Sequence, residues 1–272
     1  MKKVIKDALG NRIKGFYEDR TRISLPRRTY TIMRLDGKAF HSFTKGLIRP
    51  FDVDLVNDLD ATAMYLCANI QGAKLAFVQS DEISLLLTDF ETIHTDAWFD
   101  GNIQKMSSVS ASMATSKFNQ LRFKRNIELM FKQSFKNISD GNVVVVDRAN
   151  AFIDTIKLAE FDSRVFTIPF VGEVENYFIW RQIDTVRNSI SSVAQSMFSH
   201  KELDGKNTSD MQEMCFQKGT NWNDFDPKYK RGRLIIKEEY MKNGATRSRW
   251  TSIGAPDFNK DREFLKKIIP NL

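Results

Sequence analysis

Residues 75–79 and 83–87 are two short apolar runs separated only by Ser80-Asp81-Glu82. Runs of that length on either side of a turn read as two paired strands. A hairpin of this kind must bury its apolar side chains, and the neighbouring sequence supplies the cover. Residues 29–35 are rich in β-branched and apolar types and stop at Asp36-Gly37, which predicts a further buried strand closed by a tight turn. From Asp52, the residues Leu55, Val56, Leu59, Ala63, Leu66, Cys67 and Ile70 recur at helical spacing, and Gly72 supplies the stop. After Thr95, the positions Phe99, Ile103, Met106, Ser110 and Met113 predict an amphipathic helix to about Phe118. A basic segment from Arg122 to Lys136, valines at 143–146 and a strand at 165–169 follow. A second long helix is then expected from about Val174. This order predicts an α+β fold, an antiparallel sheet with helices on one face, formed by residues 1–200. Residues 201–272 read as a C-terminal appendage: a short helix over Thr208–Lys218, loops, and the basic cluster Lys228–Arg233.

With 272 residues, 42% of them hydrophobic, the chain can bury its own core. Lysine and arginine number 41 against 34 acidic residues, a formal net charge of +7 that favours a polyanionic partner. Cys67 and Cys215 are too few for a disulfide framework or a cysteine-rich zinc site, and a reducing, cytoplasmic setting is expected. No apolar run is long enough to cross a bilayer.

The chemistry resides at the two acidic turns. If Asp36 and Asp81 meet at the ends of neighbouring strands, two hard carboxylates suffice for magnesium, which keeps several waters and shares substrate phosphates. Gly37 lets the backbone approach a metal or phosphate closely, and amides from Gly37 to His41 can turn toward a triphosphate, with Lys38, Lys45 and Arg49 nearby. Taken singly, each turn also has the composition of an ordinary exposed turn. His94 and His200 lack metal-ligand spacing and read as ordinary histidines. The segment Lys228-Tyr229-Lys230-Arg231-Gly232-Arg233 has the charge to grip a phosphate backbone and an aromatic for stacking, though such a run is also the composition of a solvated face.

Four motifs occur in order: Arg34-Leu35-Asp36-Gly37-Lys38-Ala39-Phe40-His41; Gln79-Ser80-Asp81-Glu82; Phe161-Asp162-Ser163-Arg164-Val165; and Trp180-Arg181-Gln182 with Asp184. In order and spacing they resemble the tRNA(His) guanylyltransferase-like family, and Lys230-Arg231-Gly232 resembles its closing segment. The resemblance implies a palm-like catalytic domain with a ferredoxin-type sheet that extends RNA in the 3′-to-5′ direction. It implies two Mg2+ ions held by Asp36, Asp81 and the Gly37 carbonyl, with Glu82 assisting. ATP, GTP and other NTPs are the implied substrates, contacted by Asp36, Gly37, Lys38, Ala39, Phe40, His41, Ser80, Asp81, Arg49 and Lys105. Arg49 is an arginine where the family commonly has lysine. The implied partner is tRNA, gripped through Arg187, Asn188, Lys228, Lys230, Arg231 and Arg233, and the family commonly forms homo-tetramers in which tRNA crosses subunit boundaries.

The eukaryotic guanylyltransferases carry a His-Ile-Asn-Asn-x-Tyr signature after the Trp-Arg-Gln segment. Here Val186-Arg187-Asn188-Ser189-Ile190-Ser191 occupies that stretch and resembles the bacterial, archaeal and phage "-like" branch, which repairs 5′-truncated tRNA by templated addition. That favours repair over addition of G at position −1. A different class of reading is a non-catalytic RNA-binding module on a ferredoxin-like sheet, but residues 75–79 and 83–87 offer only Phe77 toward the aromatic signature it needs. A palm-fold nucleotide cyclase would share the acidic turns and act on free nucleotide.

Overall fold

Six strands form one antiparallel sheet in the computed structural model, which describes residues 7–139 and 156–271. They are β1 (Tyr30–Gly37), β2 (Ala73–Gln79), β3 (Glu82–Leu87), β4 (Phe161–Ile168), β5 (Arg233–Lys242) and β6 (Ala245–Gly254). Their order across the sheet is β4-β1-β3-β2-β5-β6. The longer helices are α1 (Val53–Asn69), α2 (Ile103–Ser139), α3 (Val171–Met197), α4 (Thr208–Gln217) and α5 (Arg262–Ile268). From β1 to β4 the elements follow the β-α-β-β-α-β order of a ferredoxin-like unit. Leu35 of β1 faces Ile83 of β3. Asp36, one residue on, and Asp81, two residues back, therefore arrive at the same end of the sheet.

Both faces of the central strands are apolar, and this corrects the expectation that helices cover one face. Met33, Leu35, Ala76, Val78, Ile83 and Leu85 pack against Leu59, Ala63 and Leu66 of α1 and Met106, Ala114 and Phe118 of α2. The alternate set, Tyr30, Ile32, Leu75, Phe77 and Leu86, packs against Val174, Tyr177 and Phe178 of α3 and Leu265 of α5. Strand side chains alternate between faces, so two apolar sets require two layers of cover.

The region after residue 200 is built into this core rather than appended to it. β5 pairs with β2 from Leu75↔Ile236 to Val78↔Arg233, with Leu234 in one core and Ile235 in the other. β5 and β6 are joined through Asn243 and Gly244, both at positive φ, the geometry of a primed two-residue turn. Beyond Ile236 this hairpin is largely exposed and polar, which hid it from apolar patterning. The α2 helix also differs from expectation. Phe99 and Asp100 sit at φ 50° and 52°, so the helix starts only at Ile103, and it runs on to Ser139. Arg122 and Arg125, expected in a basic segment, lie on α2 and pair with Asp58 of α1 at 3.2 and 2.7 Å. The valines at 143–146 lie outside the described residues. Among the described residues, no helix is long and apolar enough to cross a membrane.

Candidate active site

Gln79 faces Glu82 across β2 and β3, which leaves Ser80 and Asp81 as a two-residue turn. Ser80 has φ +44°, a left-handed conformation that costs a residue with a side chain about 1–2 kcal/mol. The turn carries Asp81 against the end of β1. A Cβ built on Gly37 would lie 2.9 Å from an Asp81 carboxylate oxygen and 2.2 Å from the Phe40 ring, so only glycine allows this approach. Asp36 precedes that glycine, and its charge is near enough to act on the Asp81 carboxyl. Burial, above all, pushes the Asp81 carboxyl up to about 6; hydrogen bonds from Ser80 and the turn backbone oppose the rise, and the charges of Asp36 and Glu82 add to it. Asp36 is more open and faces Asp162 across β1 and β4, with the Arg164 guanidinium 3.8 Å away.

This pair suits a hard divalent cation. Asp81 has no cationic side chain within salt-bridge distance among the described residues. No three His, Cys, Asp or Glu side chains converge as a metal cluster among the described residues. A cation here would rest on two carboxylates, a carbonyl, water and substrate oxygens, the sparse set that magnesium accepts.

Glu82 does not share these surroundings. Its side chain lies on the α3 face of the sheet, buried, where both carboxylate oxygens accept hydrogen bonds from Arg181 at 2.8 Å. Directly assisting a metal, as the resemblance implied, is not what this placement provides.

A cleft of about 300 Å3 opens beside the turn. It brings together His41, Arg49 and Ser80 with Asn188, Lys228 and Arg233, residues drawn from widely separated parts of the chain. Phe51 and Tyr229 stack at 4.9 Å with their planes 7° apart and form an aromatic wall. Phe51 carried no sequence signal, because its value depends on a partner from the far end of the chain. Tyr229 lay visibly inside the basic cluster.

Several expected contacts are placed elsewhere. Lys38 is committed to Glu160, its amide donating to the Glu160 carbonyl at 2.8 Å and its ammonium pairing with the carboxylate at 2.6 Å. The Phe40 ring is buried against Phe43, Phe118 and Phe161, so this residue can meet a nucleotide only through its backbone. Ala39, at φ +50°, opens the single helical turn that follows. Lys105 is exposed near the start of α2, its ammonium 5.9 Å from the Phe99 ring centre, and it is not part of the cleft lining. Lys230, expected to grip RNA, turns inward and is 7% exposed, donating to the Asn223 carbonyl, and burial pushes its pKa down. Arg233 is likewise buried, held at 2.5 Å by Asp60. Gly232 at φ +83° folds the chain tightly against Phe77 and Val78, which turns these neighbours inward. Lys228 remains on the cleft wall, and the Arg187 side chain is 65% exposed, 2.5 Å from Asp184.

A ferredoxin-type sheet with Asp36 and Asp81 at one end and a cationic, aromatic cleft beside them has the layout of a palm-fold enzyme. The family model for tRNA(His) guanylyltransferase (Thg1) matches residues 10–169, and the chain belongs to that family. It is 42% identical to a bacterial tRNA(His) guanylyltransferase-like protein solved in complex with ATP, over 96% of this chain and 99% of that one, with a TM-score of 0.78. A bacterial protein of the same description solved with GTP is 41% identical over the same shares, with a TM-score of 0.74. The tRNA(His) guanylyltransferase of Debaryomyces hansenii is 26% identical over 79% of this chain and 77% of its own length.

Proposed function

We propose that this protein is a 3′-to-5′ nucleotidyltransferase that adds templated nucleotides to the 5′ end of truncated tRNA. The observation that carries this reading is the branch of the family it resembles. Identity is 42% to the bacterial guanylyltransferase-like protein but 26% to the Debaryomyces enzyme. The segment Val186–Ser191 differs in the same sense from the eukaryotic signature.

In this reading the cleft takes the nucleoside triphosphate, ATP or GTP among them, with Arg49 and Lys228 offering positive charge and His41 a ring nitrogen to the phosphates. Phe51 and Tyr229 supply a flat apolar wall beside it. Asp36, Asp81 and the Gly37 carbonyl would hold two magnesium ions, which when bound activate the attacking hydroxyl and neutralise charge on the triphosphate. Most of the remaining contribution is positioning: fixed side chains bring a 3′-hydroxyl and a 5′-phosphate into line. Arg187 and Asn188, with Lys228, contact the RNA, and the working assembly is a homo-tetramer.

The test is incubation of purified protein with magnesium, four NTPs and a 5′-triphosphorylated tRNA transcript lacking its first nucleotide, beside full-length tRNA(His). Addition of only the complementary base to the truncated transcript supports repair. Addition of G to full-length tRNA(His) irrespective of truncation moves the protein to the guanylyltransferase reading. RNA binding with no addition to either transcript points to the RNA-binding module.

A further inference from the structure

The Ser80–Asp81 turn combines two costly features: a serine, rather than a glycine, in the left-handed region, and a half-buried carboxylate near a like charge. Conformations of this kind persist only where the surroundings over-determine them. The surroundings here are one turn of α3. On one side of the turn, Glu82 accepts from Arg181 Nε at Oε1 and from Nη2 at Oε2, both at 2.8 Å. On the other side, the Gln79 side-chain oxygen accepts from Thr185 Oγ1 at 2.6 Å. Gln79 and Ser84 each donate to Glu82 Oε1 at 3.2 Å, which closes the network across the base of the hairpin. Arg181 is itself steadied by Asp184 at 3.0 Å.

We propose that Arg181 and Thr185 are positioning residues that clamp both ends of the Asp81 turn to α3, with Glu82 as the strut of this clamp rather than a ligand. The proposal rests on the reading of Asp36 and Asp81 as the metal-bearing pair. A buried ion pair contributes little net stability compared with apolar side chains of the same volume, because desolvation offsets most of the attraction. Its use lies in direction. A bidentate guanidinium fixes the carboxylate in distance and in plane, which apolar packing does not.

That difference supplies the test. In the double variant Glu82→Leu/Arg181→Met the clamp is replaced by apolar packing, and the melting midpoint is expected to stay at or above that of the parent. Mn2+ binding in the presence of GTP, followed by electron paramagnetic resonance, is expected to weaken about tenfold or more. The turnover number for nucleotide addition is expected to fall about 100-fold, with the KM for nucleotide little changed. The conservative variants Glu82→Gln and Arg181→Lys are expected to fall between parent and double variant in both readouts, and they carry the test if the double variant does not fold. Parental Mn2+ affinity and turnover in the folded variants would reduce the network to core packing and overturn the proposal. A parent protein that adds no nucleotide to any RNA overturns the repair reading alone, since the Mn2+ titration still tests the clamp. A parent that binds no Mn2+ with GTP present overturns both.

Discussion

Asp60 is buried and Asp81 half-buried, and the fold treats these two aspartates in opposite ways. Asp60, on α1, accepts from Arg233 Nε at 2.5 Å and from Ser252 Oγ at 2.7 Å. Its neighbour Asp58 is met by Arg122 and Arg125. Asp81 is given no cation among the described residues, and the charge of Asp36 lies near it instead, while Glu82 beside it is paired with Arg181. A carboxylate kept for architecture is neutralised from within the chain. On the proposed reading, Asp81 is kept for a ligand and left to be neutralised from outside, at an electrostatic cost to the folded chain.

The contrast breaks most visibly in activity. Asp81→Ala is expected to lower nucleotide addition by at least about 100-fold, with tRNA binding largely retained in a filter-binding assay; parental turnover would place Asp81 among ordinary turn residues. Arg233→Ala should instead act on stability, costing about 3–5 kcal/mol because it leaves Asp60 buried without its cation. Urea denaturation measures this, and a loss of less than about 1 kcal/mol would mean that Asp60 needs no internal partner.

The pH dependence sharpens the comparison further. The folded chain holds the Asp81 proton more tightly than the unfolded chain does, with the carboxyl pushed up to about 6 from 3.8. Stability of the metal-free protein is therefore expected to fall as pH rises from about 4 to about 6, by up to about 3 kcal/mol, and to change little from this group at higher pH. Asp81→Asn should remove that slope and stabilise the metal-free protein at neutral pH while abolishing activity. The smallest effect is expected at Lys38–Glu160, where both side chains are largely exposed. Lys38→Ala should leave the melting midpoint within error of the parent.

Sequence patterning reached the parts of this molecule where local chemistry and tertiary role agree. The strand ending at Asp36-Gly37, the α1 helix and the β2–β3 hairpin each carried their own periodicity and stop signals. The basic cluster shows the limit. Lys228, Lys230 and Arg233 are alike in composition, yet Lys228 stays on the cleft wall, Lys230 turns inward to the Asn223 carbonyl and Arg233 is buried against Asp60. Which of them faces out is decided by Gly232 and by pairing with β2, and neither leaves a periodic trace. The β5–β6 hairpin did leave one, the Asn243-Gly244 turn, but the polar strands around it do not alternate as a half-buried sheet would. Glu82 was legible as an acid next to Asp81. Its partner Arg181 lies on a helix whose placement only the fold supplies.

The pairing of β5 with β2 also bears on the order in which the protein matures on the ribosome. β1, β2 and β3 emerge early, well before Arg181 and Thr185, which hold the two ends of the Asp81 turn. The wall from Lys228 to Arg233, and the arginine that neutralises Asp60, are translated much later. Until β5 is in place, Asp60 lacks its cation and the cleft lacks one side. Closing that side requires a contact between distant parts of the sequence, the slow kind of step in folding. Completion of the sheet and closure of the cleft thus become a single late event.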